Sequence, residues 1–365
     1  MIETVAPFPS LRHMAQLSDA VGTFEHAKLD RPRPECGYCT DDAGRLLAIA
    51  SRLAKDPNAL RLAELALGFL ERAHLGEGWF RLRQGVDGTW TEDRPSDDSA
   101  GRALLGLGMA AARAPWPDLR DRALVLFGEA ANFRSEHPRA VAYAALGAVE
   151  LLRAVPNHAG ARRLVSDAGD SLPGPGTSDA WPWPESRLSY ANALLPDAAL
   201  SVATAMGKQH AASDALHLLG WLVNQEMVDG HFSFTPVGGR GRDGLQPAFD
   251  QQPIEACTMT EACARAFAYT GERQWADAAR RSGAWFLGDN DVRVTVFDPA
   301  TEGGFDGLEP EGVNRNEGAE STLAFVGTML QLQELPSANA VALSQFRRSP
   351  RVAGFRVAAR KAASR

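Results

Sequence analysis

The sequence has little of what would mark several common protein classes. Its four cysteines, Cys36, Cys39, Cys257 and Cys263, are too few and too scattered for a disulfide framework. The first two form a CxxC, a pattern of zinc and redox sites. Six residues along a helix, however, turn Cys257 and Cys263 about 240° apart, so the second pair cannot complete a four-thiolate site. Free, partly buried thiols in a reducing compartment are expected. No apolar run approaches the roughly 18 residues of a membrane span, and MIETVAPFPSLRHM has no basic region followed by an apolar stretch. A cytoplasmic protein without a membrane partner is expected.

Basic charge is in the minority, with 38 Lys and Arg against 45 Asp and Glu and a net charge of -7. That disfavours a nucleic-acid partner, because phosphate binding needs a clustered basic surface. Only the end of the chain, 341–365, is markedly basic, and it reads as a solvated tail on a single domain spanning 1–340. The eight histidines show no HxxxH or HxH spacing, so no metal site is indicated. GGRGRDG at 238–244 follows no strand and is no phosphate cradle, so no cofactor is expected.

What the sequence does have is helices. Period-two alternation of β-branched and aromatic residues is almost absent. Six unusually apolar stretches, rich in Ala, Gly, Ser and Leu, begin near Asp41, Asp97, His137, Ser189, Ile254 and Gly318. More amphipathic stretches lie between them, near 58–73, 117–133, 157–168, 209–226 and 273–287. A sixth comes either from the N-terminal helix near 10–22 or from the segment after Leu335. Helices apolar all round must be covered on every side, whereas amphipathic ones face water on one. The alternation predicts an all-α protein, an (α/α)6 toroid with six inner and six outer helices. TDDAGRLL at 40–47 and SDDSAGRALL at 96–105 begin two hairpins alike. The longest loops each lead into an inner helix and would gather at one mouth of the ring, where binding chemistry concentrates.

Acids crowd those inner-helix starts: Asp41, Asp42, Asp97, Asp98, Glu185, Asp250, Glu255, Glu317 and Glu320. Glycoside hydrolysis needs one carboxylic acid to protonate a leaving oxygen and a second carboxylate to activate water or attack. The same residues also have plainer readings. Asp41 and Asp97 stand where helix caps stand, while Asp42 with Arg45 and Asp98 with Arg102 have ion-pair spacing. Glu185 lies in AWPWPES, where Trp181 and Trp183 form either a platform for sugar rings or a plug for the ring. Apolar neighbours there would raise its pKa, which suits a general acid. Glu317 and Glu320, three apart, are expected to share a face and split their pKa values. Of the histidines, His26, His74 and His231 fall in or near mouth loops.

GYCTDDAGRLL, SDDSAGRALLGLG, WPWPESRLSYANALLP, FDQQPIEA, WFLGDND and DGLEPEGVNRNEGAESTLAF together resemble a poorly characterised bacterial family. Its members occur beside or fused to glycosyltransferases and are similar to six-hairpin glycosidases. The resemblance runs from about His26 to Leu335 and implies glycan-related work, with a glycosyltransferase as partner. Asp41, Asp42, Asp98, Glu185, Asp250, Glu255 and Glu320 match its pattern. Ala43, Ala100, Ala191 and Leu194 stand where relatives carry polar residues, which keeps a non-catalytic glycan binder open.

Together these observations predict a glycoside hydrolase acting on an oligosaccharide. Glu185 is the expected acid, and Asp42, Asp98 or Glu320 the base. Asp41, Asp97, Trp181, Trp183, Tyr190, Asn192, Asp250, Gln251, Glu255, Asn316 and Glu317 are the expected substrate-binding residues. A sugar epimerase or isomerase is the alternative, against which stands the scarcity of histidines at helix starts.

Overall fold

The computed structural model describes residues 7–91 and 95–336, so the basic tail lies outside the described residues. Twelve helices are present among them, in strict alternation. The inner ring is α2 (Thr40–Ala50), α4 (Asp97–Arg113), α6 (Pro138–Ala154), α8 (Leu194–Met206), α10 (Pro253–Thr270) and α12 (Ala319–Glu334). The outer ring is α1 (Arg12–Gln16), α3 (Ala59–Ala73), α5 (Pro117–Ala130), α7 (Ala159–Ser171), α9 (Gln209–Glu226) and α11 (Arg273–Ala284). Each inner helix packs on the next, and α12 returns onto α2, so the ring closes. The protein is an (α/α)6 toroid. The short α1 packs on α12 and supplies the sixth outer position. Among the described residues no helix is long and apolar enough to cross a membrane.

Small residues set the inner spacing. A Cβ on Gly108 of α4 would lie 2.1 Å from the carbonyl oxygen of Gly147 on α6, and one on Gly44 of α2 would lie 2.5 Å from that of Arg102 on α4. Those backbones touch, which only glycine permits.

Among the described residues, strand is confined to six two-stranded antiparallel ribbons in the loops. Two of them stitch separate mouth loops together: Tyr38–Cys39 pairs with Arg83–Gln84, and Arg187–Leu188 with Arg240–Gly241. Gln251 exchanges backbone hydrogen bonds with Leu308 at 2.9 and 3.0 Å. The mouth is therefore a fixed surface rather than a set of separate loops.

The inner-helix starts follow the predicted register within a residue, apart from α8. It begins at Leu194 rather than Ser189 because 189–193 is a loop held from outside: Ala191 has φ 45°, and the amides of Ala191 and Asn192 both donate to Glu255. All four cysteines are free, and Cys39, Cys257 and Cys263 are buried.

Candidate functional site

The first turn of α2 carries two carboxylates with different partners. Its N-cap, Cys39, makes no side-chain cap, and neither aspartate caps the helix. Asp42 accepts from Arg45 at 2.6 Å, the predicted (i, i+3) pair, and the same guanidinium donates to Glu320 of α12. Asp42 is buried, and burial, with the charges of Glu320, Glu25 and Asp41, outweighs Arg45 and pushes its carboxyl up to about 7. Burial also acts to raise Asp41, but Arg102 of α4, Arg45 and the Ser99 hydroxyl prevail and hold it below the ordinary range. Asp41 accepts from Ser99 at 2.8 Å and from Arg102 at 2.5 Å.

Arg102 continues the chain of pairs to Asp98 at 3.3 Å, which also accepts from the Tyr190 hydroxyl. The cap of α4 is Ser96, not Asp97. Asp97 instead accepts from Ser135, tying the second hairpin to the third.

A cavity of about 430 Å³ opens between the starts of α2, α10 and α12. Seven carboxylates line it: Glu25, Asp41, Asp42, Asp250, Asp306, Glu309 and Glu320. Facing them are Arg45, Arg83 and His26. Arg83 donates to Glu25 through two nitrogens at 2.6 and 2.7 Å. Asp306 accepts the Gly318 amide at 2.9 Å, and burial raises its carboxyl despite that hydrogen bond. Of the expected acids, then, Asp41, Asp42, Asp250 and Glu320 meet at one cavity.

Sequence reasoning missed Glu25, Asp306, Glu309 and Arg83, because none stands at an inner-helix start. The signal for two of them was present in DGLEPEGVN, which folds into the ribbon Gly307–Glu309 with Gly312–Asn314 ahead of α12.

Several expected site residues lie outside this cavity, in internal contacts. Glu185 is gripped by Arg139 through two 2.8 Å hydrogen bonds and also accepts from Trp183 at 3.2 Å. Burial opposes ionisation, but Arg139 overrides it, so the carboxyl lies below its ordinary range rather than raised. Trp183 is buried in a stack with Trp221 of α9, and Trp181 meets the same ring edge-on, so both tryptophans plug the outer wall.

Asn192 and Gln251 are fully buried struts. Asn192 accepts from the Ser189 amide at 2.9 Å, and Gln251 bridges Trp285, Phe234 and Asp291. Asn316 accepts from the Leu29 amide at 3.0 Å. Glu255 spends both oxygens on 191–192, and burial, with Glu226 nearby, raises its carboxyl. Tyr190 is exposed, with the Arg139 guanidinium over its ring.

Glu317 and Glu320 do not share a face. Glu317 precedes the first residue of α12 and turns outward to accept from Thr301 at 2.6 Å, beside buried His13 at 3.4 Å. Burial raises it to about 7. Of the three mouth histidines, only His26 lines the cavity, whereas His231 is buried against Asp291 at 2.9 Å and His74 packs on Phe80.

The fold defines the class: a closed double ring of twelve helices with its polar cavity at the inner-helix N-termini. Solved structures that share it include a sugar epimerase from a ruminal bacterium, with TM-score 0.68 and 10% identity over 88% of this chain and 95% of that one. The cellobiose 2-epimerase of Bacillus thermoamylovorans gives 0.65 and 12%, covering 88% and 96%. A cellulase of C. cellulolyticum in complex with cellobiose gives 0.57 and 10%, covering 88% of each. The sequence matches no protein-family model and no curated protein.

Proposed function

We propose that the chain is a carbohydrate-active enzyme that cleaves an oligosaccharide at the acidic cavity, by paired-carboxylate chemistry. The observation that carries this is Asp42: a buried carboxyl raised to about 7 on the wall of the cavity, sharing Arg45 with Glu320. A carboxyl poised near neutral pH can hold a proton for a leaving oxygen and give it up in the transition state. Glu320 is more open to water and paired with a guanidinium, which suits the complementary base. The cavity falls within the roughly 300–1,000 Å³ of small-molecule sites. The acid role therefore moves from Glu185 to Asp42.

Epimerisation or isomerisation is the second reading, favoured by the likeness of the ring to sugar epimerases and to a D-mannose isomerase. It asks for a base beside a carbon-bound proton, and His26 at the cavity wall offers the imidazole.

The test is turnover of an oligosaccharide panel, with products read by thin-layer chromatography and NMR. Hydrolysis gives shorter products, whereas epimerisation gives products of the same size with one inverted centre. Asp42→Asn and Glu320→Gln should each slow hydrolysis by ~10²-fold or more, while Glu185→Gln should leave the chemical step nearly intact. Full activity in both cavity variants would sink the assignment. Tight glycan binding without turnover would point instead to the non-catalytic partner of a glycosyltransferase.

A further inference from the structure

A second, larger cavity of about 730 Å³ lies on the opposite face of the ring. It opens between the C-terminal turns of α6, α8 and α10 and the start of α7, far from the helix N-termini that hold the acids. Leu152, Val165 and Met206 give it apolar walls. Arg153, Arg162 and Arg265 face it, and among the described residues no carboxylate lines it.

Two of those arginines have internal reasons to be there. Arg265 donates to Asp197 and Arg153 to Glu150, each at 2.5 Å. Both sit near the ends of inner helices, where a cation complements the negative pole of the helix.

Arg162 has neither reason. It stands four residues into α7, at the pole that disfavours a cation, next to Arg163 and with no acid in the first turn. Among the described residues its side chain donates only to the Pro156 carbonyl and to Asn157 Oδ1, both at 2.8 Å. Arg162 thus brings to a largely apolar cavity a positive charge that no carboxylate among the described residues pairs with.

We propose that this cavity binds an amphiphilic anion, a carboxylate or phosphate head held by Arg162 and Arg153 with a hydrocarbon body against Leu152, Val165 and Met206. The arginines select the charge and the walls select the body, so neither a bare anion nor a neutral hydrophobe satisfies both. The acidic mouth on the other face repels the same ligand, which confines it to this end of the ring.

The full chain titrated calorimetrically with dodecanoate, dodecyl phosphate, dodecanol and inorganic phosphate, all below micelle formation, tests this. One anionic amphiphile should bind per chain, ~10-fold or more tighter than dodecanol or inorganic phosphate, the difference one charge-assisted hydrogen bond makes. The two heads compared show which anion is preferred. Arg153→Gln with Arg162→Gln should weaken that binding ~10-fold, with dodecanol binding and the far-ultraviolet circular dichroism unchanged. Three results would overturn the proposal: dodecanol or inorganic phosphate binding as tightly as the amphiphiles, anion binding indifferent to the double substitution, or no binding of either anion at millimolar concentration.

Discussion

Arg139 holds Glu185 by two parallel hydrogen bonds of 2.8 Å each, joining the start of α6 to the loop before α8. The same guanidinium reaches the Tyr190 carbonyl at 2.5 Å. Arg139→Met should therefore destabilise the fold by about 2–3 kcal/mol, the cost of stripping partners from a largely buried carboxylate and carbonyl. Because Glu185 is depressed in the folded state, its contribution is present above the unfolded carboxylate pKa and is lost as pH falls through the folded one. Urea unfolding at pH 7 and at pH 3.5 should show the variant's deficit shrinking on acidification.

Buried carboxyls that are raised act with the opposite sign. Asp42 and Glu317 both stand at about 7, and Glu226 and Glu255 are also raised by burial. Between the unfolded carboxylate pKa and pH 7 the folded chain keeps protons that the unfolded chain has lost, so stability falls as pH rises through 7. Calorimetry should give a lower Tm at pH 8.5 than at pH 6.5. Glu317→Gln and Asp42→Asn should each reduce that fall by about 1 kcal/mol. A Tm that rises over this interval would contradict the burial of these groups in ionisable form.

Glycine to alanine in a helix ordinarily stabilises. At Gly108 the sign should reverse, because the new Cβ would meet the Gly147 carbonyl at 2.1 Å and force α4 from α6. A loss of about 2 kcal/mol or more is expected in thermal unfolding.

Trp183→Ala separates a sugar platform from a structural plug. The ring is buried against Trp221, so stability should fall by about 3–5 kcal/mol, while KM for a responsive glycan stays the same. A raised KM at unchanged stability would restore the platform.

The ring was legible because inner helices must be apolar all round, a constraint visible residue by residue in stretches such as HPRAVAYAALGAVELLRA. Carboxylate positions were legible too, as the doubled acids of TDDAGRLL show. Their partners were not. Arg102 lies 61 residues from Asp41, and Arg45 lies 275 from Glu320, so the pairing depends on how neighbouring helices register around the ring. Periodicity along one helix carries no information about that. Glu185 was misjudged for the same reason, since Trp and Pro beside it predicted an apolar pocket while Arg139, 46 residues away, decides its charge.

Closure of the ring by α12 onto α2 has a consequence for how the acidic cavity arises. Asp41, Asp42 and Arg45 come from the first inner helix, and Gly318, Glu320 and Ser321 from the start of the last. The two facing walls of the cavity meet only when the last inner helix seats against the first, so the acidic cavity and the completed circle form together.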